Sequence, residues 1–201
     1  MATATTQARS LRDVITEDHR EIMAYFDEYK KNQNDSSAQE RWTNLFTWEV
    51  ARHSVGEEIV VYPLMEKYLG AQGHDLAEGD RRDHQYVKER LYKLQGMAPG
   101  SKEHASLMQD IVDHLKSHIE SEESQDLPAL EKAIGPQESQ RVAKSFERTK
   151  KFVPTRPHPS APARPPYETF VGFLSAPIDK LKDYFSTFPT DEEKQEARQH
   201  M

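Results

Sequence analysis

Apolar residues recur every three or four positions through four long segments, the spacing that gathers them on one face of an α-helix. In the first, Leu11, Ile15, His19, Ile22, Phe26 and Tyr29 share a face; in the second, Trp42, Phe46, Val50, His53, Glu57, Val60 and Leu64 do. The third runs through His84, Val87, Leu91 and Leu94. The fourth runs through Leu107, Ile111, Leu115, His118 and Glu122 and resumes at Leu130 and Ile134. Polar and Gly/Pro stretches mark the breaks: Asn32 to Ser37 after the first helix, Gly70 to Gly73 closing the second, and Gly96 to Ser101 between the third and fourth. Gly135 and Pro136 stop the fourth. Pro63 and Pro128 predict a kink or an end inside the second and fourth helices. Short connections between long helices predict an all-α fold, an up-down-up-down four-helix bundle over residues 11–135.

Appendages flank this bundle. Residues 1–10 are expected to form a flexible N-terminus, and 136–153 an additional short helix from Gln137 to about Lys151. Residues 154–166 hold six of the twelve prolines, the composition of an extended linker. The tail, 167–201, is apolar through Phe170, Phe173, Leu174, Ile178, Leu181, Phe185 and Phe188, and is expected to carry a short helix that packs back onto the bundle. Its last dozen residues are charged and expected to fray.

Composition narrows the function. With 30% charged and 35% hydrophobic residues, the chain suits amphipathic helices that each need one apolar stripe. There are no cysteines, which excludes disulfides, thiolate metal sites and iron–sulfur clusters. The net charge is −7 and no basic stripe stands out, so nucleic acid is not an expected partner. Neither a secretory leader in Met1 to Ser10 nor a run long enough to span a bilayer is legible, so no membrane insertion and a cytoplasmic location are expected, as a monomer or weak oligomer.

The stripes also carry histidines and glutamates where a core wants carbon. These recur in register: His19 is followed thirty-four residues later by His53 and then Glu57, and His84 thirty-four residues later by His118 and then Glu122, an offset of 65. Asp18 and Asp83, Glu58 and Glu123, Pro63 and Pro128, and Gly70 and Gly135 keep the same offset. Histidine and glutamate four residues apart project from one helix face, so each half can offer two imidazoles and one carboxylate to a shared cavity. One histidine on an apolar stripe is ordinarily a hydrogen-bonded core residue; six such residues in register point instead to metal. Burying them without one leaves unpaired charge. A nitrogen and oxygen set without sulfur suits iron, manganese or zinc.

The repeated His…His-x-x-x-Glu pattern resembles the hemerythrin-like, HHE cation-binding family over about Leu11 to Gly135. The resemblance implies a non-haem di-iron centre, oxo- or hydroxo-bridged, with His19, His53, Glu57, His84, His118 and Glu122 as ligands and the glutamates bridging. It implies a protein that reacts with oxygen, nitric oxide or peroxide as a sensor or detoxifier; the alternative is an iron-storage or iron-sensing module without turnover. Oxygen carriers of the family resemble a pattern with a further histidine one turn after the first on the third helix, where this chain has Lys88; Met23 is its counterpart on the first. A more symmetric site argues against oxygen transport.

Around these residues the reading divides. Asp18 and Asp83 either orient an imidazole or are solvated acids. Glu58 and Glu123 point away or form an outer shell, with Glu123 a substitute for Glu122. His114 and Glu49, one turn before His118 and His53, either line the site or lie on partly exposed faces. Tyr25, Tyr62 and Tyr86 either line the cavity or fill core, and His74, His104, His158 and His200 receive no role.

Overall fold

The structure is a computed structural model that describes residues 8–164, 167–199 and 201, without the side chains of 167–174. Every regular element among the described residues is helical. The first helix, α1 (Leu11–Lys31), begins at a reciprocal cap: the Ser10 hydroxyl accepts from the Asp13 amide at 3.1 Å, and the Asp13 carboxylate accepts from the Ser10 amide at 2.9 Å. The expected flexible N-terminus lies outside the described residues up to position 7.

The second rod is broken into α2 (Ser36–Val60) and α3 (Tyr62–Leu69), and the fourth into α5 (Lys102–Ser121), a π-helical turn (Glu122–Asp126) and α6 (Leu127–Ile134). Both breaks fall just before a proline. Pro63 and Pro128 have no N–H to return to the carbonyls of Ile59 and Ser124, and each sits in the first turn of the segment that follows. The third rod is α4 (Ala71–Leu94). The four rods form the bundle, and α7 (Pro136–Thr149) lies across α1 and α2.

The turn expected over Gly70 to Gly73 is shorter than its sequence suggests. Gly70 alone, at φ 60°, reverses the chain, and Gly73 already belongs to α4. Gly73 is there for contact: a Cβ on it would lie 2.0 Å from the carbonyl oxygen of Met65, so α3 and α4 touch backbone to backbone.

The tail departs further from expectation. Its final stretch does not fray; it forms α9 (Asp191–Gln199), which buries Ala197 against the core, while Arg198 pairs with Glu21 and Glu193 with Arg41. Over residues 175–184, the part of α8 (Tyr167–Tyr184) whose side chains are described, the inward residues include Ala176 and the acidic Asp179. Asp179 is fully buried and accepts from the Thr155 amide and from His158, while Asp183 accepts from the Thr155 hydroxyl and pairs with Arg156. Those anchors to the linker turn Ile178, Leu181, Tyr184 and Phe185 outward, 58–83% exposed; Phe188 does pack on the core. Phe170, Phe173 and Leu174 lie outside the described side chains. No described helix is long and apolar enough to cross a membrane.

Two apolar plugs fill the bundle. One gathers Ile22, Phe26, Phe46, Val50, Leu91 and Ile111; the other gathers Leu11, Ile15, Tyr62, Met65, Leu127 and Phe146. On every rod a histidine lies between residues of the two plugs, so a polar band crosses the middle of the bundle. The Gly73 contact supplies a test of the packing. Gly73→Ala should destabilise the protein by roughly 2–3 kcal/mol through overpacking. Gly79→Ala, in the same helix with space around it, should stabilise by about 0.5–1 kcal/mol. Urea denaturation of both variants checks the pair.

Candidate metal centre

The structure brings the six repeated residues together in that band. They form two groups that share Glu57: His19, His53, Glu57 and Glu122, and Glu57, His84 and His118, with the ligand atoms of each group within 4.8 Å of one another. All six are at most 4% exposed. Nε2 of His19 lies 3.1 Å from Nε2 of His53. Glu57 Oε2 stands 3.2 Å from His53 Nε2 and 3.5 Å from His84 Nε2. Glu122 Oε2 is 3.4 Å from His19 Nε2 and 3.8 Å from His118 Nε2. Each carboxylate therefore lies between an imidazole of one half and an imidazole of the other.

Two nitrogens bound at about 2.1 Å to one ion, at right-angled or tetrahedral spacing, sit about 3.0–3.4 Å apart. The imidazole pair of His19 and His53 matches that spacing. A second observation agrees: both oxygens of Glu57 and both of Glu122 are buried and accept no hydrogen bond among the described residues. A carboxylate buried in this way costs several kcal/mol unless a cation meets it. The residues present fit a bound metal.

An outer ring of carboxylates orients the imidazoles. His19 Nδ1 meets Glu123 at 2.8 Å, His84 Nδ1 meets Glu58 at 3.0 Å, and His53 Nδ1 meets Asp18 at 3.2 Å. His118 Nδ1 is 3.6 Å from Asp80 and 3.7 Å from Asp83, beyond hydrogen-bond length but within ion-pair range. A donor bond from Nδ1 leaves the Nε2 lone pair turned to the centre. Two lysines hold this ring: Lys88 donates to both oxygens of Glu58 at 2.7 and 2.6 Å, and Lys150, the C-cap of α7, donates to Asp18 and Glu49.

Electrostatics follow from this crowding. Burial opposes charge on His53, yet Glu57 and Asp18 outweigh it and push its pKa up to about 10. His118 is likewise driven up to about 9, against burial, by Asp83 and Glu122. Burial, aided by His118, keeps His84 below its ordinary value in spite of Glu58. Burial also works against ionised Glu122, but His19 and His118 hold its carboxyl well below the usual range. Burial and Glu122 push Asp80 up to about 8.

The family described as Hemerythrin HHE cation binding domain matches residues 10–130, the span that contains all six residues. The chain belongs to that family. A relative from Schizosaccharomyces pombe, named an uncharacterized hemerythrin-like protein, is 50% identical over 179 residues, covering 89% of this chain and 88% of its own length. No solved structure matches the chain. The likeness to the relative thus runs past the HHE domain into α7 and the tail.

Within this HHE domain the neighbouring residues sort themselves. Asp18, Asp83, Glu58 and Glu123 all turn to imidazoles, so Glu123 backs His19 while Glu122 keeps the inner place. His114 stacks on Tyr86 with ring centroids 4.0 Å apart and bonds Asp83 at 3.0 Å, away from the centre. Glu49 is tied to Lys150 and Arg52. His104 is a core residue bonded to Tyr29, and His158 serves the tail. Of the three tyrosines, Tyr62 meets His84, whereas the Tyr25 hydroxyl bonds Glu21. The sequence reading missed Lys150, which lies outside the repeat. It also missed Asp80 and Asp126, whose signal was present: they replace Ile15 and Val61 of the other half.

These shifts give the metal-free protein a pH dependence. Raised pKa values mean the folded state binds more protons than the unfolded one. The contributions of His53 and His118 are full below their ordinary 6.5 and are lost as pH climbs through about 9 and 10; that of Asp80 is lost on reaching about 8. The Tm of chelator-treated protein should therefore fall between pH 6.5 and 10, and fall less once metal has replaced the protons. A metal-free Tm that stays level or rises over that range contradicts this electrostatic picture.

Proposed function

We propose that this chain holds two metal ions, iron in preference to manganese or zinc, between Glu57 and Glu122. His19 and His53 complete one position, and His84 and His118 the other. The observation that carries this reading is the set of four buried carboxylate oxygens, free of hydrogen bonds among the described residues and flanked by imidazole Nε2 atoms. The donor chemistry supports it, since nitrogen and oxygen ligands without sulfur suit these ions.

Paired irons supply open coordination positions and a change of oxidation state, and with them a reaction with oxygen, nitric oxide or peroxide. The protein's own residues prepare the place. Glu58, Glu123 and Asp18 fix the imidazole tautomers, the two apolar plugs keep bulk water out, and Lys88 and Lys150 balance the outer carboxylates. We read the protein as a sensor or detoxifier of such small molecules rather than an oxygen carrier. Lys88 supports this, because it is committed to Glu58 and adds no fifth nitrogen ligand.

Protein purified from iron-replete cells should contain about two irons per chain by elemental analysis, and chelation should lower its Tm, since a ligand of the folded state alone stabilises it. His53→Ala and His118→Ala should each lose most of the metal. Rapid mixing of the reduced protein with oxygen, peroxide and nitric oxide then separates the alternatives. Prompt adducts or oxidation support a sensor or detoxifier; full iron occupancy with neither supports storage or iron sensing. Less than one metal per chain, or no effect of the two substitutions, overturns the reading.

A further inference from the structure

The two ends of the centre share their inner residues and differ in what surrounds them. The same pseudo-two-fold relation that carries the Glu58–His84 bond onto Glu123–His19 sets Tyr62 against Leu127 and Lys88 against Met23. At the His84 end, Tyr62 is fully buried and its hydroxyl lies 3.1 Å from Nε2 of His84 and 3.4 Å from Nδ1. Nδ1 is already bonded to Glu58, while Nε2 is the nitrogen turned to Glu57. The phenol thus reaches the inner side of the imidazole.

Lys88, one turn beyond His84, could reach the same space but commits its ammonium to both oxygens of Glu58. It is therefore not among the side chains turned to the inner nitrogen of His84. At the other end the matching positions are carbon and sulfur: Leu127 is fully buried in one plug and Met23 packs against the other. Phe146 closes that side further, its ring edge-on to His53 with centroids 6.0 Å apart. One end can donate a hydrogen bond to an incoming ligand, and the other presents an apolar wall.

We propose that a small ligand of the centre, an anion or a diatomic that gains negative charge on binding, is taken at the end marked by His84 and His118, where the Tyr62 hydroxyl donates a hydrogen bond to it. A buried, positioned O–H is a dipole aimed where charge develops and has no water to displace it. The proposal rests on the two-metal reading, and the two fail separately: absence of metal shows in elemental analysis before any ligand is added.

The test uses the full-length, iron-loaded, oxidised protein with azide as the probe. Tyr62→Phe removes only the hydroxyl, and Tyr62→Leu installs the residue of the other half. Azide Kd should rise about tenfold in both, the size of one hydrogen bond to a charged group, with iron content unchanged. The stretching frequency of bound azide should shift in heavy water for the wild type and not for Tyr62→Phe; the wild-type shift is informative even if the variants fold poorly. Unchanged affinity and frequency in Tyr62→Phe overturn the proposal. So does a visible charge-transfer band that disappears with Tyr62, which would make the phenolate a metal ligand rather than a donor.

Discussion

Two carboxylates, Glu57 and Glu122, are sealed from water in the middle of a helical bundle without a hydrogen bond of their own among the described residues. Such groups are tolerated only where positive charge answers them. The imidazoles beside them serve that need. In the metal-free protein, His53 and His118 hold protons far above their ordinary range and supply part of the charge. Metal ions would supply it without protons, so metal and protons compete for the same ring nitrogens. The apolar plugs above and below strengthen each interaction by keeping the band dry.

Holding the band in register takes more than the domain that contains it. The helix α7 lies beyond the residues matched to the HHE family, yet its C-cap Lys150 bonds Asp18 and Glu49 and its Phe146 packs on His53. The fit there is close: a Cβ on Gly56 of α2 would come 2.9 Å from the Phe146 ring. The π-helical turn at Glu122–Asp126 belongs to one half only and coincides with an inner glutamate, the kind of helix irregularity that functional sites accumulate. Together with Tyr62, Asp80 and Asp126, it makes a centre with near-symmetric inner residues sit in unsymmetric surroundings.

Much of this was legible in the chain because helical period and metal-ligand spacing reinforce each other. The stripes located four rods, and the 65-residue offset selected six inner residues, which the structure gathers into one buried band. The prolines at 63 and 128 marked real breaks. Contacts between distant segments were not legible. No periodicity reports that Lys150 reaches Asp18, or that Asp179 turns inward and leaves Ile178 and Leu181 exposed, since both depend on which polar group finds a partner. Charge alone misled at the C-terminus, where α9 buries one alanine and makes two long-range ion pairs with the bundle. Gly73 was misread as a turn residue because a glycine needed for close contact and one needed for positive φ look the same in sequence.

The arrangement of charge around Glu57 and Glu122 is most directly tested by anomalous diffraction at the iron edge from crystals of the full-length, iron-loaded protein. Two peaks roughly 3.5–4 Å apart, the usual spacing of paired metals, should lie between the two glutamates, one beside His19 and His53 and one beside His84 and His118. A single peak, or density against Asp80 and Asp83 with Glu57 and Glu122 left unligated, would contradict it.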